Sequence, residues 1–196
     1  MSEVIFVRHG ESEMNEKGVY CGWSDSPLTP KGIIQAQAVS KKLADERIDL
    51  IISSNLDRCL VTAEIINRFH GKRIIQESEL KEIHFGKWEG LSYKDICREF
   101  YEEEKMWRED YIGFKIPEGE SLLQMHGRVN NVFNKIIEDY HEKKILIVAH
   151  SGVIRSILSQ RICGSIEGYW KFKIENCGIA RIQFMDDFPV LIGINQ

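Results

Sequence analysis

The chain has 196 residues, ordinary shares of apolar and charged side chains, and a formal net charge of −4. That length fits one domain with a substantial core. The charge excludes a nucleic-acid binder that works through a general basic surface, though not a small arginine cluster around one phosphate. Five cysteines without a CxxC pair point to reduced thiols and a cytoplasmic protein. No apolar run reaches the roughly 18 residues that span a bilayer, and no signal peptide is visible, so no membrane partner is expected.

Residues 3–8 read as a buried, parallel strand that stops at Arg8-His9-Gly10. Glu11 to Glu16 is polar and fits a short helical turn. Residues 18–30 form a loop long enough to suggest a function. Thr29-Pro30 opens a helix with Ile33, Ala36, Val39 and Leu43 on one face. A second strand covers 49–53. Ser54 or Asn55 is expected to cap the next helix, with Leu60, Ala63, Ile66 and Phe69 inward and Gly71 ending it. A third strand covers 72–76, and residues 79–90 form a loop. Residues 92–111 look helical and strongly charged, followed by a break at 113–119. Ser121 and Gln124 have capping-box spacing before a helix that buries Leu122, Met125, Val129, Val132, Ile136 and Tyr140. A fourth strand covers 144–149. Ser151 is expected to cap a helix running through Ile154, Ile157, Leu158 and Ile162 to Gly164. Residues 170–194 read as two or three edge strands. The alternation predicts an α/β fold of three layers, α/β/α: a mostly parallel sheet with helices on both faces.

Ligands in such sheets bind beyond the carboxyl ends of the strands. The first strand delivers Arg8 and His9 there. The second leads to a helix whose first turn holds Arg58. The third is followed by Glu82, and the fourth ends at His150 with Ser151 and Gly152. Two arginines, two histidines and a helix N-terminus suit an oxyanion. Taken singly, each residue has a plainer reading: a hydrogen-bonded core histidine, a surface ion-pair partner, a solvated loop acid. Metal binding is the competing chemistry, with His9, His84 and His150 available. It lacks a ligand-spaced motif, and an arginine adjoins His9.

Arg8-His9-Gly10-Glu11-Ser12, with Asn15 close behind, resembles the signature of the histidine phosphatase superfamily, the phosphoglycerate mutase-like proteins. Four further stretches are similar to that family's motifs in the same order: 53–59 around Arg58, 80–90 around Glu82, Pro117-Glu118-Gly119-Glu120-Ser121, and Val148-Ala149-His150-Ser151-Gly152. The chain departs from the common pattern at Cys59 and Val61, where many members have alanine and glutamine.

The resemblance implies a single histidine phosphatase domain and a metal-independent, cofactor-free phosphomonoesterase. His9 would be the nucleophile, Glu82 the proton donor, and Arg8, Arg58 and His150 the phosphoryl clamp. Asn15, Ser151, Gly152, Cys21 and Gly22 would help bind substrate. Mutases of the family are typically longer ahead of 101–117, which favours a phosphatase here. A lid is expected within about 92–120, where Trp107, Tyr111 and Phe114 could stack on an apolar or heteroaromatic leaving group. The plainer reading of that segment is a helix covering the core. The 20–29 loop, the short lid and the 85–90 run are similar to α-ribazole phosphatases of cobalamin assembly.

The expected partner is a small-molecule phosphate ester rather than nucleic acid, and the protein is expected to be a monomer or homodimer. The alternatives are a phosphoglycerate mutase, a broad sugar or acid phosphatase, a non-catalytic phospho-ligand binder and a phosphohistidine protein phosphatase.

Overall fold

The computed structural model describes residues 2–185 and 188–196. Asp186 and Asp187, within the predicted edge-strand region, lie outside the described residues. The strands are β1 (Ser2–Arg8), β2 (Leu50–Ser54), β3 (Ile74–Glu77), β4 (Lys144–Ala149), β5 (Ile179–Met185) and β6 (Phe188–Ile194). The helices are α1 (Glu13–Glu16), α2 (Pro30–Lys42), α3 (Asp57–Asn67), α4 (Tyr93–Glu99), α5 (Tyr101–Glu109), α6 (Leu122–Asp139) and α7 (Ser151–Leu158).

The strands form one sheet in the order β3-β2-β4-β1-β5-β6. The first four are parallel neighbours, while β5 and β6 add antiparallel. The continuous apolar runs are explained by burial on both sides. Val4 and Phe6 pack with α6 and α7, whereas Ile5 and Val7 pack with α2 and α3. All four β1 side chains are fully buried, a contribution of about 1.5–3 kcal/mol for each large one before entropy is counted. The expected α/β/α layering is present. Because β1, β2, β3 and β4 run the same way, their carboxyl ends share one edge.

Local signals hold at two helices. Thr29 accepts from the Gly32 N–H with Pro30 in the first turn of α2, and Ser121 and Gln124 form the capping box of α6. They fail elsewhere for identifiable reasons. Leu56 is the N-cap of α3, without a side-chain cap: the Ser54 hydroxyl reaches only the N–H of Leu56 itself, at 3.5 Å, and lies closer, at 2.9 Å, to His150 Nε2. Ser151 is the first residue of α7 rather than its cap; the Gly152 N–H is met by Glu82 from another loop. Phe69 is exposed because α3 ends at Asn67, whose amide closes a turn onto Lys72. The predicted 92–111 helix divides at Phe100 into α4 and α5. Beyond Leu158 the helix widens into a π-turn over Ser159–Cys163, which leaves Ile162 exposed before Gly164 ends the helix in a left-handed conformation. Tyr140 ends α6 and is only half-buried. The third strand starts two residues later than expected. Residues Ile166–Lys171 form a 3-10 segment, so the C-terminal region contributes two described strands.

Candidate active site

His9 follows β1, and its N–H continues the ladder to the Ala149 carbonyl. Its ring Nδ1 lies 2.7 Å from the Gly10 carbonyl. A carbonyl can only accept, so Nδ1 carries the proton and Nε2 keeps the lone pair. The His9 and His150 rings stand 5.2 Å apart, edge to face. Burial, then the Arg58 and Arg8 charges, push His9 well below the usual histidine range. His150 is pushed the same way by burial, Arg58, His9 and Arg8. Both imidazoles are therefore neutral at neutral pH. The Ser54 hydroxyl lies 2.9 Å from His150 Nε2, and the Cys59 thiol 3.4 Å from the same nitrogen. Burial pushes Cys59 up to about 12, so it stays a neutral thiol.

Arg58 is almost completely buried. Its Nη1 donates to the Ser24 carbonyl at 2.9 Å and its Nη2 to the Gly22 carbonyl at 2.6 Å. Arg8 donates through Nη1 to the Ile174 carbonyl at 2.8 Å. The Nε of each guanidinium is buried without a protein partner, which leaves both forks a donor for an oxyanion.

Glu82 lies in the irregular stretch 81–85. One carboxylate oxygen accepts from the Gly152 N–H at 3.0 Å, the other from its neighbour Ile83. A Cβ at residue 152 would sit 2.2 Å from Glu82 Oε1, so glycine is what admits the carboxylate to the α7 N-terminus.

The structure thus gathers Arg8, His9, Arg58, Glu82, His150, Ser151 and Gly152 at one sheet edge. The other candidates are engaged differently. Asn15 completes the capping box of α1, whose N-cap is Ser12, its side-chain oxygen accepting from the Ser12 N–H and from Asn176. Gly22 gives its carbonyl to Arg58 and its N–H to Glu89. The Cys21 thiol contacts the Ser24 carbonyl at 3.7 Å.

Several residues at the site carried no usable sequence signal. Asn176 bridges the His9 carbonyl and Asn15. Tyr169 and Trp170 help line a cavity with Phe85, Trp88, Trp107, Tyr111 and Phe114. Trp88 stacks on Phe114 and meets Trp107 edge-on. Arg155 lies over the Trp170 and Tyr169 rings. The cavity adjoins the acid loop through Ile83 and the Gly152 turn through Tyr169, whose hydroxyl is among the atoms nearest a Cβ at 152. Among the described residues no group of three or more His, Cys, Asp or Glu could hold a metal ion, and no helix is long and apolar enough to cross a membrane.

The model of the histidine phosphatase superfamily, branch 1, matches residues 4–196. The chain belongs to that superfamily. This histidine phosphatase is 30% identical to the adenosylcobalamin/alpha-ribazole phosphatase of Escherichia coli, over 97% of the chain and 94% of the relative. It is 29% identical to a putative phosphoserine phosphatase of Hydrogenobacter thermophilus, over 100% and 96%. A solved alpha-ribazole phosphatase from Shigella flexneri superposes with a TM-score of 0.93 at 31% identity, covering 99% of this chain and 96% of that one. The family and its relatives make the chain a phosphatase enzyme with the phosphoglycerate mutase-like fold.

Proposed function

We propose that this phosphatase works without metal through a phosphohistidine on His9, and that its substrate is a phosphate ester with a neutral, planar aromatic portion, α-ribazole 5′-phosphate first among candidates. The observation that carries the catalytic reading is the His9 ring, fixed by Gly10 with its Nε2 lone pair free, under the charges of a buried Arg58 and a half-buried Arg8.

In the first step Nε2 attacks phosphorus, and the P–O bond to the leaving group breaks with its electron pair on oxygen. Glu82 enters this step as the neutral carboxylic acid, gives that oxygen its proton and is left as the carboxylate. Arg8, Arg58 and His150 hold the three equatorial oxygens, where preformed donors cost no reorganisation. In the second step Glu82 takes a proton from water, the water oxygen attacks phosphorus, and the P–N bond breaks to restore neutral His9 and release phosphate. Water is the only co-reactant, and no step needs an electron acceptor.

The substrate reading rests on the cavity. None of its lining side chains is charged, so it offers no counter-ion for the carboxylate of phosphoserine or 3-phosphoglycerate. Its aromatic walls suit ring stacking. Arg155, whose guanidinium lies over the Trp170 and Tyr169 rings, is not among the residues that line it. The test is phosphate release, with chelator present, from α-ribazole 5′-phosphate, phosphoserine and 3-phosphoglycerate. The expected result is the highest kcat/KM for α-ribazole 5′-phosphate. A preference for phosphoserine would overturn the substrate reading and leave the His9 chemistry standing.

A further inference from the structure

The stretch 81–85 that carries Glu82 belongs to neither helix nor strand, so no ladder fixes it. The Gly152 and Ile83 N–H groups meet the carboxyl itself, but the backbone that carries it must also be held to keep it within tenths of an ångström of its working place. The geometry points to Arg128 of α6, paired with Glu120, as the positioning residue for Glu82. This rests on the reading of Glu82 as the proton donor.

All five N–H groups of the Arg128 guanidinium have acceptors. Nε donates to Glu120 Oε1 at 3.0 Å and Nη2 to Glu120 Oε2 at 2.7 Å. Nη1 donates to the carbonyls of Glu79 at 2.7 Å and Lys81 at 3.0 Å. Nη2 also reaches the carbonyl of Glu82 at 3.2 Å. Glu120 completes the brace from the far side, accepting the His84 N–H at 3.0 Å. The acid loop is therefore gripped at four residues, 79, 81, 82 and 84, by one ion pair. A planar fork with five fixed donors can do this, and an ammonium cannot.

Trp23 adds a second hold. Its indole N–H donates to the Glu82 carbonyl at 2.8 Å, and its ring lies under Lys81 and close to Arg128. Both partners of the Arg128–Glu120 pair are largely shielded from water. Such pairs contribute little net stability but fix geometry. The Glu120 position of the 117–121 motif, which otherwise has no part in the chemistry, acquires a purpose here.

The experiment compares kcat/KM on an aryl phosphate, whose leaving oxygen needs no proton, with that on an alkyl phosphate, whose leaving oxygen does. It uses the wild type, E82Q, R128A and the double variant, with the Kd for inorganic phosphate reporting on the anion cup. A misplaced acid should cost R128A about a hundredfold on the alkyl ester. The aryl ester and the phosphate Kd should each change less than about threefold, a fraction of that catalytic loss. In the E82Q background R128A should add little.

Equal losses on both esters, or full additivity with E82Q, would overturn the proposal. An E82Q enzyme with no leaving-group dependence would remove the acid reading itself, in a protein with Arg128 intact. A dependent E82Q beside an indifferent R128A removes only the positioning role. Should R128A fail to fold, E120Q carries the test. It turns one acceptor oxygen into an amide donor facing N–H groups. A selective loss on the alkyl ester supports the proposal, and none overturns it.

Discussion

Glu82 rests its carboxylate on the backbone N–H of Gly152, 3.0 Å away, across 70 residues of sequence. This contact joins the acid loop to the first turn of α7 and so to His150, the residue just before it. It also makes residue 152 the most economical place to disturb the acid without touching it.

A methyl group at 152 would press within 2.2 Å of Glu82 Oε1 and 2.8 Å of the Tyr169 hydroxyl. G152A should therefore displace the carboxyl while leaving Arg8, Arg58 and His9 in place. We expect kcat/KM on alkyl phosphates, which reports the step that transfers the phosphoryl group to His9, to fall by about two orders of magnitude, the usual contribution of a positioned acid. Steady-state kinetics on paired alkyl and aryl esters check this, and an equal fall on both would contradict it.

The two site histidines make a prediction about stability. Their folded-state values lie well below the usual histidine value, which is about 6.5 in an unfolded chain. Between those limits the unfolded chain binds more protons than the folded one, so acidification favours unfolding. Their contribution is whole above pH ~6.5 and is lost as pH falls toward the folded-state values. His126 and His70 are displaced in the same direction, so a variant must isolate the site. Urea melts from pH 7.5 to 5 should show falling stability, and H9Q should flatten that slope. An unchanged slope in H9Q would mean that His9 titrates normally.

The aromatic cavity can be tested apart from the chemistry. Trp107 lines it and meets Trp88 edge-on. Loss of one stacking surface is worth about 1–3 kcal/mol per ring, roughly five- to a hundredfold. W107A should raise KM for α-ribazole 5′-phosphate by a factor in that range and leave the small ester phosphoserine nearly unaffected. Equal changes for both substrates would place the ring outside the substrate's reach.

The legible parts of this protein are those whose physics is local. Fully buried parallel strands demand unbroken apolar runs, so β1 and β4 could be read directly, and each is followed at once by a histidine. The parallel order of β1 to β4 then placed Arg58 and Glu82 at the same edge. What stayed hidden depends on contacts distant in sequence. The cap of α7 comes from Glu82 rather than Ser151, because a carboxylate 70 positions away satisfies the helix end. Ser54 is drawn from α3 to His150 by the fold, not by its neighbours. Arg128 looks like an ordinary helix-surface cation until the acid loop is laid across it. Gly22, read as a substrate contact, spends both its backbone polar groups on Arg58 and Glu89; its signal was a loop pattern that does not distinguish holding the anion from holding the arginine.

The decisive measurement is a rapid-quench experiment with an aryl phosphate, followed by mass spectrometry of the peptide that carries His9. Catalysis through His9 requires one phosphoryl group on its ring, stable to alkali and labile to acid, formed and lost at rates that match turnover and absent in H9A. Turnover without that adduct, or the phosphoryl group on another residue, would contradict it.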